Sequence, residues 1–148
     1  MELTLAQVHK INVISDTVLY PEAAALVRQL VEEEECDPLP SSQVNGLLNI
    51  AGTNTYTNLY SFVLHQRDRN WTASKMDIKK FYAALEKYLS DMVRQRVKAE
   101  FQLIQEGLDA KQTKQMTEAV MALLAKDFIQ HFVAQNNRLA TTYASRRK

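Results

Sequence analysis

The sequence predicts an all-α protein, a bundle of five or six helices that ends in two long ones. Three glycines in 148 residues are too few for a Gly-rich nucleotide-binding fold, or for an all-β chain that turns every ~8 to 12 residues. Apolar residues recur at intervals of three and four along most of the chain. Residues that start and stop helices fall where those periodic stretches begin and end.

Leu3, Leu5, Val8, Ile11, Ile14, Val18 and Leu19 predict an amphipathic helix over about 3–19. Tyr20-Pro21 resets it, because proline suits a first helical position, and Glu22 beside it favours the positive end of a new helix dipole. The second helix ends in Glu32-Glu33-Glu34-Glu35, four like charges at the negative end of that dipole, and is expected to fray there. Cys36-Asp37-Pro38-Leu39-Pro40 reads as a linker. Ser41 or Ser42 can cap the next helix, with Val44, Leu47, Leu48 and Ala51 on one face and Gly52-Thr53-Asn54 as its stop. Thr55 or Thr57 opens another, with Leu59, Phe62, Val63 and Gln66 inward and Arg67 and Arg69 at its basic end. Trp71 follows in a short loop. Ser74 and Asp77 match a capping box for a long helix running to about Glu106 and closing at Gly107. Asp109 and Gln112 match a second, opening a last helix that reaches about Thr142 before the Arg146-Arg147-Lys148 tail.

The chain reads as a single domain over 1–148, with an acidic N-terminal helical extension (1–37) on a basic helical core (41–148). Residues 1–40 carry Lys10 and Arg28 against eight acids, a net of −6; the remainder carries 16 basic against nine acidic residues, a net of +7. A basic majority suits a polyanion or an acidic protein surface, and the acidic part suits a basic neighbour or this chain's own positive face. Met1-Glu2 opens no basic and apolar leader, and the longest stretch free of charge, Pro38 to Gln66, is rich in Ser, Asn, Thr and Gln. A cytoplasmic protein without a membrane span is therefore expected.

The long helix carries two stripes. At about 100° per residue, Ile78, Phe81, Tyr82, Leu85, Leu89, Met92 and Leu103 gather on a core face. Lys80, Lys87, Arg94 and Lys98 line up opposite as a basic ridge about 27 Å long at 1.5 Å per residue, a length comparable to several nucleotides of backbone. The stripe contains no acid, whereas an ordinary solvated face mixes both signs. Arg96 projects from the apolar side and needs a partner; Glu100, one turn on, is the local one. Around Tyr56, Tyr60, Phe62, Arg67, Arg69, Trp71 and Lys75, aromatic and basic residues interleave, a mixture suited to stacking bases and neutralising phosphates. Core anchoring is the alternative role for Phe62 and Trp71.

Catalytic chemistry is not signalled. His9, His65 and His131 have no metal-ligand spacing, so neither a metal nor a cofactor is expected. His131 shares the apolar face of the last helix with Val120, Leu124, Phe128 and Leu139, where it reads as a hydrogen-bonded core histidine. The glutamates beside Cys36 should raise its thiol pKa and discourage a nucleophilic role.

Two segments carry a family likeness. The run Leu39-Pro40-Ser41-Ser42-Gln43-Val44-Asn45-Gly46-Leu47-Leu48, then Phe62-Val63-Leu64-His65-Gln66-Arg67-Asp68-Arg69 and Trp71, resembles the small helical subunit of type III CRISPR effector complexes, over residues 39 to about 104. The resemblance implies a non-catalytic subunit that stacks in more than one copy against the other effector subunits, lining the channel that holds crRNA and target RNA. Guide pairing would read sequence, leaving this chain sequence-blind phosphate contacts, for which Lys80, Lys87, Arg94, Lys98, Arg67 and Arg69 are the candidates. The alternative is a helical protein–protein adaptor without nucleic-acid contact.

Overall fold

The computed structural model describes residues 2–53 and 55–143, and among them the regular structure is all helical. Five helices account for it. α1 spans residues 5–33; α2 is Ser41–Thr53; α3 is Tyr56–Asp68; α4 spans residues 76–100 after a short 3-10 turn, Ala73–Lys75; α5 is Ala110–Thr142. The helical bundle agrees with the sequence, including the two long C-terminal helices. No helix is long and apolar enough to cross a membrane, among the described residues.

The predicted break at Tyr20-Pro21 is absent: α1 runs through it. Residues Ser15–Leu19 form a π-helical turn, whose wider i→i+5 bonding absorbs one extra residue just before the proline. Tyr20 N–H donates to the Ser15 carbonyl, and Pro21 then sits in the opening turn of the next α-helical stretch. The helix starts at Leu5, not Leu3, because Thr4 caps it. Thr4 Oγ1 accepts from Gln7 N–H at 3.1 Å, and Gln7 Oε1 accepts from Thr4 N–H at 2.8 Å. The glutamate end is closed. Glu34 N–H donates to Gln29 O and Cys36 N–H to Leu30 O, with Glu35 left-handed at φ 57° to make the reversal.

The linker is buried along part of its length. Cys36 and Leu39 lie inside the core, and Asn136 of α5, itself buried, clamps Leu39 from both sides. Leu39 N–H donates to Asn136 Oδ1 at 2.7 Å, and Asn136 Nδ2 donates to the Leu39 carbonyl at 3.1 Å. Asp77 accepts from Asp37 N–H at 2.9 Å. That contact replaces the predicted Ser74–Asp77 box: Ser74 lies in the 3-10 turn, and α4 begins without a side-chain cap. Nor do Ser41 and Ser42 cap α2. The Pro40 carbonyl accepts from Gln43 and Val44 N–H, so the helix begins one residue earlier in the chain than a serine cap requires. Thr55 does cap α3, accepting from Asn58 N–H.

α4 ends at Glu100, short of the predicted Glu106, and the cause is geometric. On a straight helix at about 100° per residue, Val97 and Phe101 fall roughly 100° and 140° away from Ile78 and would face outward. The π-helical stretch Met92–Glu100 turns Val97 inward, and the chain then leaves the helix so that Phe101, Leu103 and Ile104 all bury. Phe101 N–H donates to Arg96 O, Leu103 N–H donates to Val97 O, and Gln102 is left-handed at φ 52°. Gly107, at φ 82°, serves the turn before α5. α5 begins and ends as predicted, with the Asp109–Gln112 box formed. The Arg146-Arg147-Lys148 tail lies outside the described residues.

One core joins all five helices. α1 gives it Ile11, Leu19, Ala23, Val27 and Val31; α4 gives Phe81, Tyr82, Leu85 and Leu89; α5 gives Val120, Leu124, Phe128 and Phe132. The acidic N-terminal helix thus packs in the same core as the basic remainder.

Candidate nucleic-acid interface

Of the predicted ridge, Lys80, Lys87, Arg94 and Lys98 are all exposed along α4, opposite the buried face of Ile78, Phe81, Leu85 and Leu89. Their surroundings differ. Lys87 Nζ lies 2.8 Å from Asp91 Oδ2, an i,i+4 pair that neutralises it locally. The lysine ammonium in turn holds the Asp91 carboxyl below the usual carboxylate range. Arg94 donates to Ser90 Oγ, a neutral partner that leaves its charge outward. Arg94 and Lys98 both belong to the π-helical stretch Met92–Glu100. Lys98 lines a hollow of about 770 Å³ together with Gln102, Ile104, Gln105, Glu106 and Thr113. Lys80, Lys87 and Arg94 precede it along α4, and Lys98 itself sits beside the 101–109 loop.

The acidic end of α1 comes close to this row. Glu34, Lys87 and Asp91 line one cavity of about 320 Å³ with Leu26, Leu30 and Tyr88. Lys80 is near enough to the Cys36 region to oppose the rise of the thiol pKa. That pKa is pushed up to about 11, chiefly by burial and then by Asp77. The predicted direction holds, with burial rather than the glutamate run as its main cause.

Arg67 and Arg69, two residues apart, have different fates. Arg67 is claimed within the molecule: its guanidinium lies 2.8 Å from Asp68 and 3.3 Å from Glu86. Glu86 also accepts from Tyr60 O–H at 2.7 Å. Arg69, just past the end of α3, is exposed, with Cζ 4.8 Å from the centroid of the Trp71 ring. Trp71 is half-buried, and its Nε1–H donates to the Gln66 carbonyl at 2.7 Å. Lys79 donates to the next carbonyl, Arg67 O, at 2.6 Å. An indole and an ammonium together close the C-terminus of α3, whose last carbonyls otherwise lack partners. Trp71 is in part the core anchor that the sequence allowed, since it packs against the apolar cluster.

Arg96 takes the predicted Glu100, its Nε donating at 2.6 Å. It also takes a partner that sequence spacing could not name. Nη1 and Nη2 donate to the two carboxylate oxygens of Glu22 at 2.6 and 3.1 Å, a two-pronged contact between α4 and α1. Tyr88 O–H donates to the same Glu22 at 2.6 Å, and its ring stacks on Phe128 at 3.8 Å between centroids. Burial alone would raise the Glu22 pKa, but the bonds from Arg96 and Tyr88 outweigh it and hold the carboxyl below its ordinary value. Burial and the Glu22 carboxylate push the Tyr88 phenol well up. Arg96 is thus a structural cation rather than a free contact.

His131 meets Ser15 inside the π-helical turn of α1, Nε2 to Oγ at 2.9 Å, with the Tyr20 ring edge-on at 5.3 Å. This is the hydrogen-bonded histidine the sequence indicated, half-buried in place. Asp127 belongs to the same cluster, its carboxyl raised by burial. Ser15 is buried, whereas His131 and Asp127 are half-buried. Among the described residues no three His, Cys, Asp or Glu side chains come together closely enough to hold a metal ion.

Two features escaped the sequence reading. The Thr4–Gln7 box had a legible signal, the T-x-x-Q spacing before an apolar run. Asn136 also had one: it falls on the apolar face of α5 between Phe132 and Leu139, where a buried amide must find backbone partners. Comparison with known proteins found no matching family model, curated protein or solved structure.

Proposed function

We propose that this chain is a non-catalytic helical subunit of a crRNA-guided type III CRISPR effector complex, binding RNA phosphates without reading sequence. The observation that carries the proposal is the outward row on α4. Lys80 and Arg94 are exposed and meet no carboxylate at salt-bridge distance among the described residues, and Lys98 flanks them on the same helix. Arg67, Lys87 and Arg96 are by contrast engaged with acids of this chain. Cations kept free of such partners on one face suit a polyanion that arrives from outside.

In this role the chain is cytoplasmic and needs no cofactor. Other effector subunits supply the chemistry, and copies of this one stack along them. Lys80, Arg94, Lys98 and Arg69 are the contacts we assign to crRNA or target RNA, with Lys87 secondary because Asp91 already satisfies it. The resemblance of the Leu39–Leu48 and Phe62–Trp71 segments supports the family; the free cations support the chemistry.

A second role has its own support. The cavity shared by α1 and α4 has an apolar floor of Leu26, Leu30 and Tyr88 and a charged rim of Glu34, Lys87 and Asp91, a composition that suits a protein segment. An adaptor would use it without touching RNA. Affinity purification of the tagged chain from its native cell, followed by sequencing of bound nucleic acid, separates the two. The subunit role predicts short repeat-derived guide RNAs and large effector subunits in the eluate. An eluate with protein partners and no guide RNA would overturn it in favour of the adaptor.

A further inference from the structure

The loop between α3 and α4 holds an arrangement that a phosphate contact alone does not require. Trp71, the chain's single tryptophan, is fixed by its bond to the Gln66 carbonyl and by packing on the core, yet remains half-exposed. Arg69 lies over its ring and is exposed to solvent. The acid nearest in sequence, Asp68, is bound through both oxygens by Arg67. Among the described residues Arg69 has no carboxylate at salt-bridge distance. Lys75 is exposed at the end of the 3-10 turn that follows.

This chemistry differs from that of the α4 row. A lysine ammonium is a strongly hydrated point charge, indifferent to what else a phosphate carries. A guanidinium is planar and weakly hydrated, and it stacks on π-faces. An arginine held over an immobilised indole presents a π-system and a cation at one place, which suits a base followed by a phosphate.

We propose that Arg69 and Trp71 form a seat for one unpaired nucleobase, with Lys75 serving the adjoining phosphate. The proposal rests on the RNA-binding role above and adds a contact that only a single strand can make, because the bases of a duplex are already stacked on one another. It assigns the subunit two surfaces: a row on α4 that accepts any phosphate backbone, and a loop that selects strand ends or unpaired stretches.

The test uses the full chain, with the emission of its only tryptophan and the anisotropy of labelled oligonucleotides as readouts. The probes are a short oligouridylate, an abasic ribose-phosphate strand of equal length, an RNA duplex, and the deoxy counterpart of the single strand. Oligouridylate is expected to change Trp71 emission and to bind about tenfold more tightly than the abasic strand, the scale of one base–aromatic stack. The deoxy strand should bind no more tightly than the RNA. Arg69→Lys, which keeps the charge and loses the plane, should remove most of the difference between oligouridylate and the abasic strand. Trp71→Phe, read by anisotropy with helicity checked by circular dichroism, should reduce it as well, since Phe keeps an aromatic face but loses the bond to the Gln66 carbonyl. Equal affinity for the two strands, with Arg69→Lys indistinguishable from wild type, would overturn the seat while leaving phosphate binding intact. A tighter complex with the deoxy strand would overturn its assignment to RNA. Failure of every RNA to bind would overturn both the seat and the role on which it rests.

Discussion

Asn136 shows how much one side chain can hold. Its amide is buried and satisfies both backbone groups of Leu39, and among the described residues no other hydrogen bond is found at either of those groups. Replacement by alanine leaves a buried N–H and a buried C=O without partners and opens a small cavity. Asn136→Ala is expected to lower stability by about 3 kcal/mol, measured by urea denaturation. A loss under about 1 kcal/mol would mean that the linker is not held by this clamp. The residue was findable as a polar break in an apolar stripe, but its partner was not, because nothing in the local spacing points 97 residues back. Arg96 teaches the same lesson. Glu100 was legible as an i,i+4 neighbour, whereas Glu22 came from another helix and a distant part of the sequence.

At the scale of the helices, periodicity located the elements and misjudged their interruptions. α5 was legible throughout because its cap, its apolar stripe and its end all obey one regular helix. α1 was divided at Pro21 because a regular α-helix cannot accept a proline there without loss; the π-helical turn at Ser15–Leu19 makes room, and no residue type announces it. α4 was extended too far for the complementary reason, since Leu103 fits the core face of a straight helix but buries by leaving one. The joint between α1 and α4 gives this scale its prediction. Glu22 is held below its ordinary pKa by Arg96 and Tyr88, so the unfolded chain binds more protons near that pKa than the folded one does. Its stabilisation is fully present above about pH 4.3, the ordinary glutamate value, and is lost as pH falls through the lower folded value. Glu22→Gln should cost about 1 kcal/mol at neutral pH, below the ~1.5 to 3 kcal/mol usual for a charge-assisted bond because Glu22 keeps contact with solvent. It should also flatten the acid limb of stability against pH. An acid limb unchanged in the variant would mean that Glu22 does not hold this joint in its charged form.

For the whole molecule, the near-neutral net charge of +1 conceals a sorting of charge that folding makes more specific. Among the described residues, three basic side chains meet this chain's acids: Arg67 with Asp68 and Glu86, Lys87 with Asp91, and Arg96 with Glu22 and Glu100. What remains outward on α4 is Lys80 and Arg94, with Lys98 beside the 101–109 loop. The row itself was readable from seven-residue spacing. The loss of Lys87 to Asp91 was less so, because Asp91 sits off the stripe and reaches back to it one turn away. The most direct measurement is the salt dependence of single-stranded RNA affinity for the wild-type chain and for the Lys80→Ala, Arg94→Ala, Lys98→Ala triple variant, with helicity checked by circular dichroism. Each phosphate contact contributes about 0.7 to the slope of log affinity against log salt for a single strand, so the variant should bind more weakly with a slope shallower by about 2. Lys87→Ala alone should change that slope by less than Lys80→Ala does. A folded triple variant with wild-type affinity and slope would contradict the account.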